Sequence, residues 1–277
     1  MKLKKKFIPI LLLSVLTIPL ISAIPFFNKS NCNEMIVLDT DKDSKLPSNY
    51  RDISFLNISG SAQFIPSQLP NLKQAINKEN IVIVDLRQES HGFVNDIAIS
   101  FYSPFKTLND GLTTEQVTKV ENKELNSIKI GTNLNIYSKL GQVKKDVMVD
   151  SVSTEDASVV KNNIQYKRFA VRDGGTPTPT VVDNFVEFIK NKPIDQHLHF
   201  HCDAGDGRTT TFMIMYQTMF NEKNASLQEI QNFQTSLGTV KFKYDKNRED
   251  YLQSFYNYVS ANKKDNYKTP YSEWIKQ

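Results

Sequence analysis

The segment "HLHFHCDAGDGRTTTFM", His197–Met213, constrains this chain more than any other. An alternating run at the two-residue period of a strand leads into a loop with two glycines, and then into an apolar stretch of helical length. Strand, tight loop and helix in succession point to an α/β domain with a central sheet. Such domains bind ligands beyond the carboxyl ends of their strands. The loop reads Cys202, five residues, Arg208, Thr209. Peptide N–H groups of a tight loop that opens a helix converge on one concavity and bind an anion. Gly205 and Gly207 permit the conformations such a nest needs. With Asp203, Ala204 and Asp206 they form the candidate cradle. Arg208 can clamp two oxygens of a tetrahedral phosphate. The helix dipole and Arg208 favour a thiolate at Cys202, which makes it a candidate nucleophile. The Thr209 hydroxyl can donate to that sulfur and ease its departure from a thiophosphate.

Three of the four histidines, His197, His199 and His201, share one face of the same strand. Zinc uses His-x-His spacing with a third ligand. Three successive positions on one side of a strand lie along a line, however, and converge poorly on one ion. Hydrogen-bonded histidines beside a polar loop are the expected arrangement, with no metal.

A nucleophile needs an acid to protonate the leaving oxygen. Asp173 in "AVRDGGTPTP" is the candidate. It follows a predicted strand, and Gly174 and Gly175 can hinge its loop over the site. The same carboxylate could then activate water. A turn-forming Asp before Gly-Gly is the competing explanation.

The rest of the chain supports the α/β class. "IVIVDL" at Ile81–Leu86 reads as a buried parallel strand. Asp96–Ser103 alternates as a strand, and two short strands flank Gly141. Thr113–Gln116 is a capping-box pattern, and Ser67 is a candidate N-cap. Val182, Phe185, Val186 and Ile189 line one helical face. Residues 1–23 read as a signal peptide, with a basic start, an apolar run and "ISA" before the cleavage point. The uncharged stretch Phe7–Phe27 is also long enough to be an uncleaved membrane anchor. Residues 24–45 are polar, a linker or irregular segment. Residues 1–23 carry four lysines and no acid, so the formal charge of +4 belongs to them and the remainder is balanced. That charge gives no reason to invoke nucleic acid, and no nucleic-acid-binding signature is present. Cys32 and Cys202 could form one disulfide in an exported protein. A bridge would block chemistry at Cys202, so both are expected as free thiols.

"VIVDLRQESHG", "SGSAQF", "VRDGGTPTP", "HCDAGDGRTTTFM" and "YKTPYSEWIK" together resemble the bacterial protein-tyrosine-phosphatase-like inositol phosphatases, the cysteine phytases. The resemblance runs from about Leu46 to Gln277. It implies a phosphatase domain over 46–277, with a tyrosine-phosphatase-like core and a small partial β-barrel around 95–165. It implies a cysteinyl-phosphate mechanism on a small-molecule substrate, an inositol polyphosphate, and no cofactor. Carried over by position, Cys202 is the nucleophile, Arg208 the clamp, Asp173 the acid and His201 the loop histidine that favours the thiolate. Arg51 and the Lys144–Lys145 pair match regions that contact substrate phosphates. Arg172, Lys139, Lys241 and Lys243 are further candidates for a basic pocket, while Arg87 and His91 are expected as supports beneath the loop. The chain departs from the family at Gly174, where a histidine is common, and at Thr176, where an aromatic residue is common. Asp206 holds a position that is often apolar. Pointing inward, it would oppose thiolate and phosphate alike, so it is expected to face solvent.

A secreted phosphomonoesterase is the leading function, extracellular or periplasmic, with no stable membrane partner after signal cleavage. The alternatives are a phosphotyrosine or dual-specificity protein phosphatase on the same loop, and a non-catalytic anion- or metal-binding module.

Overall fold

The computed structural model describes residues 34–105, 107–237 and 245–277. The signal segment, Cys32, Lys241 and Lys243 lie outside them. Among the described residues, eleven strands form two sheets.

The strands are β1 (Met35–Thr40), β2 (Arg51–Ile53), β3 (Ile58–Ser61), β4 (Ile81–Arg87), β5 (His91–Val94), β6 (Ile97–Tyr102), β7 (Asn133–Tyr137), β8 (Val143–Met148), β9 (Val152–Ser153), β10 (Gln165–Val171) and β11 (His197–His201). The helices are α1 (Leu69–Ile76), α2 (Thr114–Asn126), α3 (Glu155–Lys161), α4 (Pro179–Asn191), α5 (Gly207–Met219), α6 (Leu227–Ser236), α7 (Lys246–Asn262) and α8 (Tyr271–Trp274).

The first sheet has the order β10-β4-β11-β3-β2. Its first four strands are parallel and β2 runs antiparallel to β3. This agrees with the apolar β4 sequence, which is buried on both faces as parallel strands are. One face packs Leu198, Phe200 and Phe169 against Phe185 of α4 and Phe212 of α5, and α6, α7 and α8 complete that core. The other face packs Phe64, Ile83 and Phe93 with residues of α1 and α3. Because β11 is central, the loop after it is held by strands on both sides.

The second sheet has the order β8-β7-β1-β6-β5-β9. One expectation changes here. Met35–Thr40 lies in the span expected to be irregular, but it forms β1 and pairs with both β6 and β7. Its short "MIVLDT" run sits between polar flanks that mask it in the sequence. The sheet over the span expected as a partial β-barrel, 95–165, also takes in β1 and β5 from before residue 95.

Local signals were obeyed where side chains could reach backbone donors. Thr113 and Gln116 form the capping box of α2, and Thr154 and Thr178 cap α3 and α4. Ser67 does not cap a helix. It lies in a 3-10 turn, Pro66–Gln68, which leads into α1, and its N–H donates to Asp96.

Candidate active site

The loop Cys202–Gly207 joins β11 to α5. Scaffold donors tie its carbonyls outward. Gln63 N–H donates to Asp203 O at 3.0 Å, Asn49 Nδ2 to Ala204 O at 2.7 Å, and Arg51 Nη1 to Gly205 O at 3.1 Å. A trans peptide points its N–H opposite its carbonyl. Outward carbonyls therefore turn the following N–H groups into the concavity, and an anion cradle results. Gly205 has φ +75°, and a Cβ there would stand 2.4 Å from Ala62 N. Only glycine lets the loop lie this close to the end of β3.

Cys202 is a buried free thiol at the base of the cradle. Thr209 Oγ1 donates to its sulfur at 3.2 Å. Arg208 is also buried. Its Nη1 donates to Glu89 Oε2 at 2.6 Å and to Val171 O at 3.0 Å, and its Nη2 donates to Glu89 Oε1 at 2.8 Å. Asp173 Oδ1 lies 3.3 Å from Nη2. The expected nucleophile, clamp and acid thus meet in one place, although 29 residues of sequence separate Asp173 from Cys202. Burial disfavours the Arg208 cation, but Glu89 outweighs it and raises the guanidinium's pKa. Burial likewise opposes the Glu89 carboxylate, yet Arg208 and Arg87 hold it well below the usual range.

Other expected site residues are placed differently. Arg51 is buried behind the loop, bonded to Gly205 O and, through Nη2, to Thr210 Oγ1 at 3.0 Å. It supports the cradle from below. Lys145 pairs with Asp41 at 2.6 Å, and Lys144 is exposed on β8. Neither lines the cleft beside the cradle. The basic residues there are Lys139 and Arg172, together with the buried Arg87. Lys139 Nζ reaches Asp203 Oδ2 at 2.6 Å. Asp206 does not face solvent fully. Its Oδ1 is buried without a hydrogen-bond partner, and burial raises its pKa against the pull of Arg51. It precedes α5 at the capping position but makes no side-chain cap.

His201 has a buried carboxylate as its partner. Its Nε2 lies 2.7 Å from Glu155 Oε1, and its ring packs on Phe64. His197 and His199 are bound to Ser59 and Ser61 at 2.8–2.9 Å. His197 and His199 thus share Ser59, while His201 faces Glu155, and the three rings form no common ligand set. A different trio, Asp85, His91 and Glu155, brings ligand atoms within 4.8 Å of one another. Cations already occupy that cluster. Arg168 Nε is 3.0 Å from Asp85, and Asp85 and Glu121 push His91 up to about 10 against burial and Arg87.

Sequence reasoning missed Glu89, Glu155 and Arg248. Glu89 holds Arg208 and also accepts from Arg87 Nε at 2.9 Å. Its signal was its place in "DLRQES", just beyond the end of a buried strand. Arg87 and His91 of the same motif are both buried.

A sheet-and-helix core with Cys202, Arg208 and Thr209 on a strand–loop–helix, and a carboxylate brought over them, defines the cysteine-dependent phosphatase class. The family model for PTP-like phytase, described by inositol hexakisphosphate, matches residues 84–220. A PTP-like phytase from Bdellovibrio bacteriovorus is 32% identical with a TM-score of 0.77, over 88% of this chain and 95% of that one. A PTP-like myo-inositol phosphatase from Mitsuokella multacida, solved with myo-inositol-(1,3,4,5)-tetrakisphosphate, is also 32% identical. Its TM-score is 0.78, over 89% of this chain and 50% of that one. The effector protein hopD2 of Pseudomonas syringae pv. tomato is 26% identical over 80% of this chain and 53% of its own length. The chain thus spans about half the length of the latter two relatives. It belongs to the PTP-like phytase family.

Proposed function

We propose that the chain is a secreted phosphomonoesterase that hydrolyses myo-inositol polyphosphates through a cysteinyl-phosphate intermediate. One observation carries the mechanism: Asp173 and Glu89 share the guanidinium that stands over the Cys202 loop. Arginine has five N–H donors. Glu89 and Val171 take three, and a fourth faces Asp173. An arriving phosphate takes that fourth donor and Nε–H, which frees Asp173 for the leaving oxygen. Asp173, released from the guanidinium, takes up a proton from solvent; Cys202 Sγ then attacks phosphorus as the P–O bond to the inositol breaks, and Asp173 gives that proton to the departing alkoxide. Water then attacks the thiophosphate with Asp173 as base, and Thr209 donates to the released sulfur. Lys139 and Arg172, at the rim of the cleft, supply positive charge for further phosphates of the same ring.

The test is phosphate release from inositol hexakisphosphate, with and without chelator. The expected result is turnover that chelator leaves unchanged and Cys202→Ser abolishes. Substantial turnover by Cys202→Ser would defeat the mechanism. Higher kcat/KM on a phosphotyrosyl peptide would defeat the inositol assignment and leave the mechanism standing.

A further inference from the structure

We propose that Arg248 is the positioning residue of the acid loop: its guanidinium holds Gly174 against the start of α5 and thereby aims Asp173 at the cradle. This rests on the role of Asp173 proposed above. The loop after Asp173 contains Gly174, Gly175 and Thr176. Gly174 has φ +78°, and nothing lies within 4 Å of where its Cβ would be. No Gly174 side chain can therefore anchor the loop. Within it, Gly175 N–H donates to Arg172 O at 2.9 Å, which shapes a turn but fixes nothing to the scaffold.

Beside the contact of Asp173 with Arg208, Arg248 supplies a tie to the loop's backbone. It stands in the first turn of α7 and is buried. Its Nη2 donates to Gly174 O at 3.3 Å. Its Nη1 donates to Thr211 Oγ1 at 2.8 Å and lies 3.4 Å from Gly207 O. Thr211 Oγ1 in turn donates to Gly207 O at 2.7 Å. A Cβ on Gly207 would meet Nη2 at 3.3 Å, so the guanidinium lies directly against the end of the cradle. One flat, rigid group thus spans the residue after the acid and the residue before Arg208. A lysine has the charge but cannot bond both sides in one plane. The Arg248 cation also lies in the fields of Cys202 and Asp173. A purely electrostatic role is therefore the alternative that must be separated.

Leaving-group dependence separates them. An activated aryl phosphate expels its phenolate without a proton, whereas an inositol alkoxide requires one. We expect Arg248→Gln to lower kcat/KM on inositol hexakisphosphate by about tenfold to a hundredfold, the range for a small misplacement of a reacting group. The activated aryl phosphate should fall by no more than about threefold, because no acid is aimed in that step. Arg248→Lys should share the deficit. Vanadate affinity should be kept in both variants, showing that the Cys-loop is intact. In the Asp173→Asn background, Arg248→Lys should cost nothing further on the inositol substrate, since the two act through one group. Equal losses on both substrates, rescue by lysine, or multiplying losses in the double variant would each overturn the proposal. Should Arg248→Gln fail to fold, Arg248→Lys alone decides by the same comparisons. If Asp173→Asn itself spares the inositol substrate, the acid assignment falls, and this inference with it. Loss of activity in Cys202→Ser is independent of both.

Discussion

Replacing Glu89 by glutamine tests the buried charge arrangement that readies the clamp. Glu89 accepts two charge-assisted bonds from Arg208, at 2.6 and 2.8 Å, and one from Arg87 at 2.9 Å. A glutamine oxygen in the place of Oε1 can keep the contacts with Arg208 Nη2 and Arg87 Nε, but its NH2 group then turns a donor toward Arg208 Nη1. Removing one partner of a buried ion pair costs about 3–5 kcal/mol. Glu89 keeps 20% of its side-chain surface, so the lower end, about 3 kcal/mol, applies. At about 2–4 °C per kcal/mol for a domain of this size, Tm should fall by about 6–12 °C. Phosphate brings negative charge to the same guanidinium. It should therefore raise Tm more in Glu89→Gln than in the unmodified protein, and narrow the gap at saturation. The pH dependence has a definite sign. The Glu89 carboxyl is depressed in the fold, so its contribution is complete above the unfolded pKa of about 4.3 and is lost as pH falls through the folded value. The gap between the two proteins should accordingly hold at neutral pH and close only below about pH 4. Differential scanning fluorimetry with a phosphate titration at several pH values reads all three effects. Equal Tm values, or equal phosphate shifts in the two proteins, would refute the idea that Glu89 balances Arg208 until phosphate arrives.

Two further substitutions probe the cradle itself. Asp206→Asn removes a carboxyl whose pKa burial raises, a group that favours the fold when protonated and ceases to as pH rises through its folded pKa. The variant should gain stability relative to the unmodified protein toward neutral pH and bind vanadate to a higher pH; parallel pH profiles would show that the charge is not felt. Gly205→Ala places a Cβ 2.4 Å from Ala62 N at φ +75°, so the loop must move. About 1–2 kcal/mol of left-handed strain precedes any clash, and calorimetric vanadate binding should be lost; retained affinity would show that the cradle does not need this close approach.

The site was legible where its residues are contiguous. Cys202, Arg208 and Thr209 fall within eight residues, so local spacing carries their geometry. Asp173 could be found because a strand ends just before a Gly-rich loop. What holds these groups comes from far along the chain. Glu89 is 119 residues from Arg208, and Arg248 is 74 residues from Gly174. No periodicity links such pairs; only the order of strands brings them together. The place of Arg51 was not legible, because a cation near a phosphate loop can sit in front of it or behind it. The antiparallel pairing of β2 with β3, Arg51 opposite Gly60, puts it behind. Lys144 and Lys145 lie on β8, whereas Lys139, in the turn that precedes it, bends back to Asp203. β1 was hidden for a different reason: six residues between polar flanks give too short an alternation to stand out.

The row of histidines on β11 gains its meaning from hydrogen-bond direction. Ser61 Oγ–H donates to Ala62 O at 2.7 Å, so toward His199 Nε2 it can only accept. His199 therefore carries its proton on Nε2, and its Nδ1 accepts from Ser59 Oγ–H at 2.8 Å. Ser59 oxygen must then accept from His197 Nε2–H at 2.8 Å. The chain closes with both imidazoles neutral. This agrees with burial, which pushes His197 down to about 4 and His199 well below its ordinary value. Neutral rings suit this place, because Arg51 and His201 already bear on His199. The ladder joins β11 to β3 through Ser59 and Ser61, and Ser61 is the last residue of β3, in register with His201 before the cradle. The Ser61 carbonyl carbon lies 2.6 Å from where a Gly205 Cβ would be. A shift of Ser61 would therefore be transmitted directly to the loop. The strand's alternation thus divides two tasks. One face carries Leu198 and Phe200 into the core beneath α5, while on the other His197 and His199 bond Ser59 and Ser61 and so fix the height of β3 against the cradle.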